Sequence, residues 1–575
     1  MTTPPKATGG VLGRVEIARC LREIAQRVRI KGHNPFRTRA FEHGAEALET
    51  FAGDFADYVS NGRLQRIKGV GPTLARTIDD LYRTGHTPML DRLRAEMPPG
   101  ALELARIPTL TLARITRLHE VLGIDSLEKL EKACEAGQLR ENVPGFGAKS
   151  EAALLQALRR HRTSSPSIPL HRAQRIADGF IEYLRTFPGI ERADYTGALR
   201  RREELIEELS FLATGSNARS AVDAFRRFPQ IAAAEPLDGT HCSARLVNGL
   251  PIHFSWVRRD DYVGALASQT GSSEHVAQLQ ALAAGRSQEL SPAGTSTEEE
   301  IYARLGLPYM PPEIREGRGE IEAARNGLLP TDWIAVEDIQ GMVHCHTVYS
   351  DGRNTVFDMA KTARALGMSY ITITDHSPTA SYARGVDVDR LRRQWDEIDI
   401  AEDRLGIRIL RGTESDILAD GSLDYPDHVL EHLDVIVASI HQRHGMDSAA
   451  MTDRVTRALG LPLFKIWGHA RGRLIGRRPP FACDMERILD VASGSRVAVE
   501  INGDPYRLDM DPHWIRAARQ VGLRFVISVD AHSTADFDNL RYGIDMARRG
   551  WVQKGEVLNT LGPDEFARAV RPKGD

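Results

Sequence analysis

Nine side chains between positions 344 and 532 have types and spacing that can do chemistry together. His344 and His346 close the apolar run GMVHCH, and His376 closes YITITDH. Glu414 follows IRILRGT, His441 ends DVIVASIH and His469 ends LFKIWGH. Asp530 and His532 finish RFVISVDAH, and Asp351 lies in the loop YSDG. The doublets His-x-His and Asp-x-His have the two-residue period of a strand, which aims both members of a pair to one side. Imidazoles and carboxylates without thiolates are the ligands expected for catalytic zinc or manganese. Nine ligands exceed the needs of one ion, so two or three are implied. Close-set ions clamp the attacking and leaving oxygens of a phosphoryl displacement and lower the pKa of a bound water. Asp351 can serve as a bridging ligand or as a base.

Such a set works only if the fold gathers it. Helical segments follow the apolar runs, among them VFDMAKTARALGM, AAMTDRVTRALG and WIRAARQVGL. Continuous apolar strands alternating with helices imply a parallel sheet covered on both faces. Seven such units suit a barrel, where the carboxyl ends of all strands meet at one face. A doubly wound open sheet has the same spacing.

Upstream, residues 12–160 are dense in helical periodicity, as in VEIARCLREIAQRV, and RTSSPSIP (162–169) has linker composition. From about 170 to 290, helices mix with strand-like runs such as ELSFLAT and LPIHFSWV, an α+β pattern. A loop-rich, charged connection from RSQELSPAGTSTEEE to LLPTDW leads into the last region. In the helical part, LQRIKGVGPTLARTI (64–78) and ENVPGFGAKSEAAL (141–154) each set Gly-x-Gly between two helical segments. Gly69 and Gly71, and likewise Gly145 and Gly147, permit a tight turn that brings bare N–H groups against a DNA phosphate. Lys68 and Lys149 add charge. Such helix-hairpin-helix elements grip the backbone without reading sequence. RIPTLTLARI (106–115) has Thr109 and Thr111 where that pattern wants glycine, so it is expected to pack but to hold phosphate poorly.

The composition, 42% hydrophobic and 27% charged, allows every domain a core. A net charge of -3 means that any contact with nucleic acid comes from local basic surface. Five scattered cysteines exclude a disulfide framework and thiolate zinc, and they fit a reducing cytoplasm. No apolar run reaches about 18 residues and MTTPPKATGG lacks an apolar signal region, so the expectation is a soluble, cytoplasmic protein with no membrane partner.

H-C-H followed by Y-S-D-G, then T-D-H-S, G-T-E-S-D-I, A-S-I-H, W-G-H-A-R and V-D-A-H-S, resemble the PHP (polymerase and histidinol phosphatase) family. That resemblance implies a distorted seven-stranded β/α barrel with a trinuclear centre whose nine ligand positions are filled here by the residues above. It further implies phosphate-binding roles for basic residues in HARGRLIGRR, with Arg473 and Arg477 as candidates, although the run reads equally as a solvated basic loop. Asn502 in VAVEIN is a candidate for support of the ligands. Hairpins, a mixed domain and a C-terminal PHP barrel, in that order, resemble the bacterial family X DNA polymerases over nearly the whole chain. NPFRTRAFEHGA, GALRRREELIEEL, TGSSEH and IYARLGLPYMPPEIREGRGEIEAA support this. The implied division is 1–165 helical and DNA-binding, 166–300 a nucleotidyltransferase-like palm and thumb, 301–334 a connection, and 335–575 the PHP phosphoesterase.

The chain also departs from that family. Its polymerases carry Gly-Ser for the triphosphate and three aspartates for magnesium. Here Ala198 follows Gly197, and the resemblance puts Glu208, Ser210 and His253 at the aspartate positions, with Glu203, Glu204 and Glu207 near enough to supply a carboxylate in another register. Nucleotidyl transfer needs carboxylates to hold its ions, so a palm holding magnesium or manganese is expected to be weak, manganese-dependent or lost. Thr77 stands where some relatives carry a Schiff-base lysine, so no lyase of that type is expected. The resulting expectation is a nucleoid-associated DNA repair enzyme whose barrel acts as a 3′–5′ exonuclease. The alternatives are a gap-filling polymerase with the barrel as editor and deoxynucleoside triphosphates as substrates, a DNA-binding scaffold with structural metal, and a small-molecule phosphatase.

Overall fold

Seven parallel strands, paired strictly in chain order, build the C-terminal half: β1 (Gly341–Met342), β2 (Tyr370–Ile373), β3 (Arg408–Asp416), β4 (Val435–Ser439), β5 (Lys465–Trp467), β6 (Val497–Asn502) and β7 (Arg524–Ser528). This computed structural model describes residues 12–573 except 33–34, 52, 108, 164–165, 229, 237 and 247. Asn34 of the NPFRTRAFEHGA run and Pro108 of the third hairpin candidate therefore lie outside the described residues. The strands are rich in Val and Ile, and β2, β4 and β6 are buried at every position, as a sheet covered on both faces requires. Sequential order distinguishes a barrel from a doubly wound sheet. The two ends of the sheet meet through a Cys345–Ala531 bridge, with His346 N donating to Ala531 O (2.8 Å) and Ala531 N to His344 O (3.0 Å). Val343, Tyr370, Leu410, Val437, Ile466, Ala498 and Val526 share one buried cluster with Phe566 and Val570 of the helix Pro563–Val570.

Helices connect the strands, and their starts follow from local chemistry. Thr355, Asp387, Asp447, Asp484 and Asp511 each accept a hydrogen bond from the backbone N–H three residues on, satisfying a donor that a helix start leaves free. The first strand departs from expectation. GMVHCH is extended only at Gly341–Met342, and His344 takes a left-handed backbone (φ 64°). His344 and His346 thus converge through a kinked backbone and not through the simple period of a strand.

The chain forms two compact units, one of Met1–Ser167, Arg175–Asp194 and Ala213–Trp256, the other of Ile168–Gln174, Tyr195–Leu212 and Val257–Asp575. The first contains two helical cores, one built on Ile17, Leu21, Leu48, Ile78 and Leu81, the other on Leu104, Ile115, Leu130 and Leu139. It also contains antiparallel strands Ile231–Pro236, His241–Leu246 and Pro251–Trp256. The second unit shows that the charged stretch after 286 is no loose connection. Glu298 bonds Arg200 and Arg315, while His275 bonds Glu320 (2.6 Å) and the Tyr302 hydroxyl (3.0 Å), all largely buried. Although burial opposes ionisation, Arg200 and Arg315 hold the Glu298 carboxyl down at about 2. Charged side chains enter this interior because each has its opposite.

Candidate metal centre

The nine side chains picked out by type and spacing meet at the carboxyl end of the barrel. Three overlapping groups have ligand atoms within 4.8 Å of one another: His346, Asp351, His376 and His532; His344, His346, Glu414 and Asp530; and His376, Glu414 and His441. His469 joins them through Nε2, 2.9 Å from Glu414 Oε1. Glu414, fully buried on β3, is the hub. Its two oxygens also face His344 Nε2 (3.3 Å), His441 Nε2 (3.2 Å), His376 Nδ1 (2.8 Å) and His346 Nε2 (3.5 Å). Asp530 Oδ1 lies 3.1 Å from His346 Nε2, and Asp351 Oδ1 lies 3.2 Å from His532 Nε2.

Three of these residues hold left-handed backbones: His344 (φ 64°), Asp530 (φ 52°) and His469 (φ 25°). Such conformations cost a non-glycine residue about 1–3 kcal/mol and gather where function re-aims a side chain. Carboxylates behind the ligands fix the ring orientations. His344 Nδ1 is 2.5 Å from Glu500 Oε1, and His441 Nδ1 is 2.9 Å from Asp416 Oδ1. Glu500 also accepts from the Ser528 hydroxyl, His469 N and Asn502 Nδ2 (3.1 Å). Asp375 accepts from Thr347 N (2.8 Å), Ser350 N (3.1 Å) and Gln394 Nε2 (2.6 Å), pinning the loop that carries Asp351.

The electrostatics favour a cation. Burial disfavours the His344 imidazolium, yet Glu500, Glu414 and Asp530 outweigh it and hold its pKa well above the ordinary histidine value. In the same balance, Glu414 and Asp416 lift His441 to about 10, and Asp351 and Asp530 lift His532 to about 9. His346 and His469 go the other way, to about 4, through burial and then the neighbouring His532 and Arg507 respectively. Burial opposes ionisation of Glu414 and Asp530, but the surrounding imidazoles keep both carboxyls far below their usual range. Buried ligand atoms also lack hydrogen bonds: His344 Nε2, His346 Nε2, Asp351 Oδ1, His376 Nδ1, Glu414 Oε2 and Asp530 Oδ1. An unsatisfied buried polar atom costs about 1–3 kcal/mol. So many in one place fit a site completed by divalent cations.

The basic run after His469 divides. Arg473 does not stand free for phosphate: its guanidinium pairs with Glu204 (2.8 Å) and donates to the carbonyls of Arg507 and Leu508. Arg477 is exposed and lies over the Tyr506 ring at 4.8 Å. Arg507, which sequence reading missed, sits 3.2 Å from Asp530 Oδ2 with its NH1 unbonded. Glu500, Asp416 and Asp375 were missed too, although each stands within two residues of a strand-end polar residue already singled out. Tyr382, on the turn Ser381–Ala383, edges the centre, its ring 6.0 Å from that of His376.

The hairpin glycines repeat one pattern. Gly69 (φ 92°) and Gly145 (φ 88°) are left-handed, Val70 and Phe146 are buried, and exposed Gly71 and Gly147 lead into Pro72–Thr84 and Ala148–Thr163. Lys68 and Lys149 are exposed. At the third candidate Leu110 is buried and Thr111 caps its own helix by accepting from Arg114 N (3.5 Å). In the palm-like segment, left-handed Gly197 adjoins Ser210, whose carbonyl accepts from Thr196 N (2.8 Å). Glu208 is exposed just before the strand Leu209–Gly215, and His253 Nδ1 pairs with Ser243 Oγ (2.9 Å).

Four family models match: a helix-hairpin-helix domain (residues 13–87), a SAM-like helix-hairpin-helix tandem (101–160), the DNA polymerase beta thumb (265–316) and the PHP domain (343–503). No described helix is long and apolar enough to cross a membrane. Probable phosphatases of Thermoanaerobacter sp. (strain X514) and Acetivibrio thermocellus are 24% and 29% identical over 38% and 33% of this chain, and over 89% and 78% of their own. The DNA polymerase/3′-5′ exonuclease PolX of Bacillus subtilis (strain 168) is 32% identical over 558 residues, 95% of this chain and 97% of its own. With hairpins, thumb and PHP barrel in that order, the chain belongs to the bacterial PolX group of family X DNA polymerases.

Proposed function

We propose that the barrel centre removes nucleotides from DNA 3′ ends while the hairpins hold the sugar–phosphate backbone, with nucleotidyl transfer in the palm-like segment weak, manganese-dependent or lost. The observation that carries this reading is the converged nine-residue centre with its unbonded, buried ligand atoms. Two or three manganese or zinc ions fit the donor set. Bound there, divalent ions neutralise charge on the reacting phosphate and lower the pKa of the attacking water. The chain's own residues do the rest. Glu414 ties five imidazoles into one shell, and Glu500 and Asp416 fix which ring nitrogens of His344 and His441 face inward. Arg507 supplies a fixed positive charge beside Asp530, and its unbonded NH1 is the donor assigned to a phosphate oxygen. With Arg473 held by Glu204, exposed Arg477, lying over the Tyr506 ring, is the cation of that run assigned to the DNA strand.

A primer–template with end-labelled primer tests this in manganese or magnesium. Shortening by the full chain that vanishes in His344→Ala is the expected result, and equal shortening by both proteins overturns it. A gap-filling polymerase is the second reading, favoured by the match to the polymerase beta thumb over residues 265–316. Extension with added deoxynucleoside triphosphates that dies on Glu208→Ala would establish it. Action on DNA implies work at the nucleoid.

A further inference from the structure

Resting on the exonuclease reading, we infer that Tyr382 is a stacking platform for the 3′-terminal base, so that the barrel measures the base as well as the phosphodiester it cuts. Tyr382 is 61% exposed, a large apolar ring left in solvent at the rim of a buried centre. It is no stray surface residue: its ring lies edge-on to His376 at 6.0 Å and tilted against His441 at 6.2 Å, two members of the ligand cluster.

The turn that carries it is held from both sides. Thr379 N donates to Asp424 Oδ2 (2.7 Å), and Gln442 Nε2 donates to Thr379 O (3.0 Å). Val386 N donates to His376 O (2.7 Å), and Arg384 reaches the Ser350 carbonyl. Ala380 and Ala383 on either side are 1% exposed. A Cβ on Gly385 would lie 2.1 Å from Ser377 O, so the loop passes too close to its neighbour for any other residue. The fold thus fixes the backbone beneath Tyr382 while burying little of its ring.

A rigid, exposed aromatic costs the fold apolar surface and returns no packing. It is, however, pre-organised for a flat apolar partner. In a nucleotide, one sugar separates the base from its phosphate, so a ring beside the ligand shell stands where the base of the terminal nucleotide falls. Every base has a π-face, so such a platform tolerates sequence, matching a backbone grip that reads none.

The test uses the full chain, Tyr382→Ala and Tyr382→Trp, on single-stranded oligonucleotides ending in a normal or an abasic 3′ nucleotide. The wild-type KM for the base-bearing end should be lower than for the abasic end by about 5- to 150-fold. That ratio should collapse towards one in Tyr382→Ala and persist in Tyr382→Trp. A 2-aminopurine at the 3′ end, followed by fluorescence without added metal, should be quenched by wild type and by Tyr382→Trp but not by Tyr382→Ala. An unchanged ratio or unchanged quenching in Tyr382→Ala overturns the inference. Quenching that depends on Tyr382 in a protein that cuts no DNA would keep the platform and discard the exonuclease reading.

Discussion

At the carboxyl end of the barrel, nine ligand-type side chains converge, most of them buried, with ring nitrogens and carboxylate oxygens that make no hydrogen bond. On the strand Leu209–Gly215, half-buried Ser210 and, just before the strand, exposed Glu208 belong to no such cluster among the described residues. The barrel atoms meet as ion pairs without hydrogen-bond geometry, and three ligands add left-handed backbones. A fold sustains that arrangement where something binds to offset it. Among the described residues of the palm-like segment, Thr196 N bonds the Ser210 carbonyl, while Thr196 Oγ1 and Thr214 Oγ1 lack hydrogen bonds and Arg202 is left-handed (φ 61°), so its unbonded and strained groups are fewer and more scattered. Unpaired polar atoms and left-handed backbones gather where the ligand-type side chains converge, and not wherever acidic residues occur.

The comparison breaks first at Asp530. Asp530→Ala should lower exonuclease activity by more than about 100-fold, beyond the range for outer-shell partners, while DNA affinity stays near wild type. A nuclease assay paired with a filter-binding measurement decides it, and retained cutting would move the chemistry elsewhere. Manganese should also raise the melting temperature of the wild type by an amount lost in this variant. A rise that survives would mean that the palm-like segment holds ions after all. Next comes Glu500→Gln, which keeps the shape of a fully buried side chain but weakens its hold on His344. Manganese affinity, measured by calorimetry, should drop about 10- to 100-fold. Unaltered affinity would show that the orientation of His344 is set by the backbone alone.

Much of this site was legible because strand and function coincide: a polar residue ending an apolar strand stands out. His376, Glu414, His441 and His469 were visible for that reason, as was the alternation that makes the barrel. Glu500 was hidden because it sits within its strand, where VAVEIN offers an acid amid apolar residues without saying that His344, 156 positions away, will meet it. Arg507 and Tyr382 were hidden because loops carry them, and loop paths follow from tertiary contacts that no short period records. The kink at His344 was invisible for a related reason: a left-handed histidine is a local cost accepted for a distant partner. The stretch from 286 to 335 misled through its charge, since Glu298, Arg315 and Glu320 look solvated in the sequence, yet Glu298 and Arg315 pair in the interior and Glu320 pairs there with His275.

A smaller effect tests whether the two regions are separate. Glu204, in the segment leading to Ser210, pairs with Arg473, which in turn holds the carbonyls of Arg507 and Leu508. All belong to the same compact unit. Glu204→Gln leaves one hydrogen bond and removes the charge of a partly buried pair, worth up to about 1 kcal/mol. Exonuclease activity should fall a few-fold, within the factor of about five that 1 kcal/mol represents. Activity indistinguishable from wild type would make the palm-like segment a bystander to the barrel.

The smallest expected effect lies in the hairpins, where each contact is one among many. Lys68 is exposed beside left-handed Gly69 and Lys149 is exposed two residues after Gly147, so their charge is available to a phosphate without reorganising the turn. Each lysine that meets a phosphate releases about one counterion, so Lys68→Ala or Lys149→Ala should flatten the dependence of log affinity on log salt by about one. The loss should be alike for unrelated sequences, because backbone contacts position DNA without reading bases. Salt titrations of DNA binding on two unrelated duplexes check both points. A slope that does not change would mean that these turns only pack their helices. The barrel would then gather DNA by its own cations, Arg477 among them, and the division of labour between grip and cut would fall within a single region.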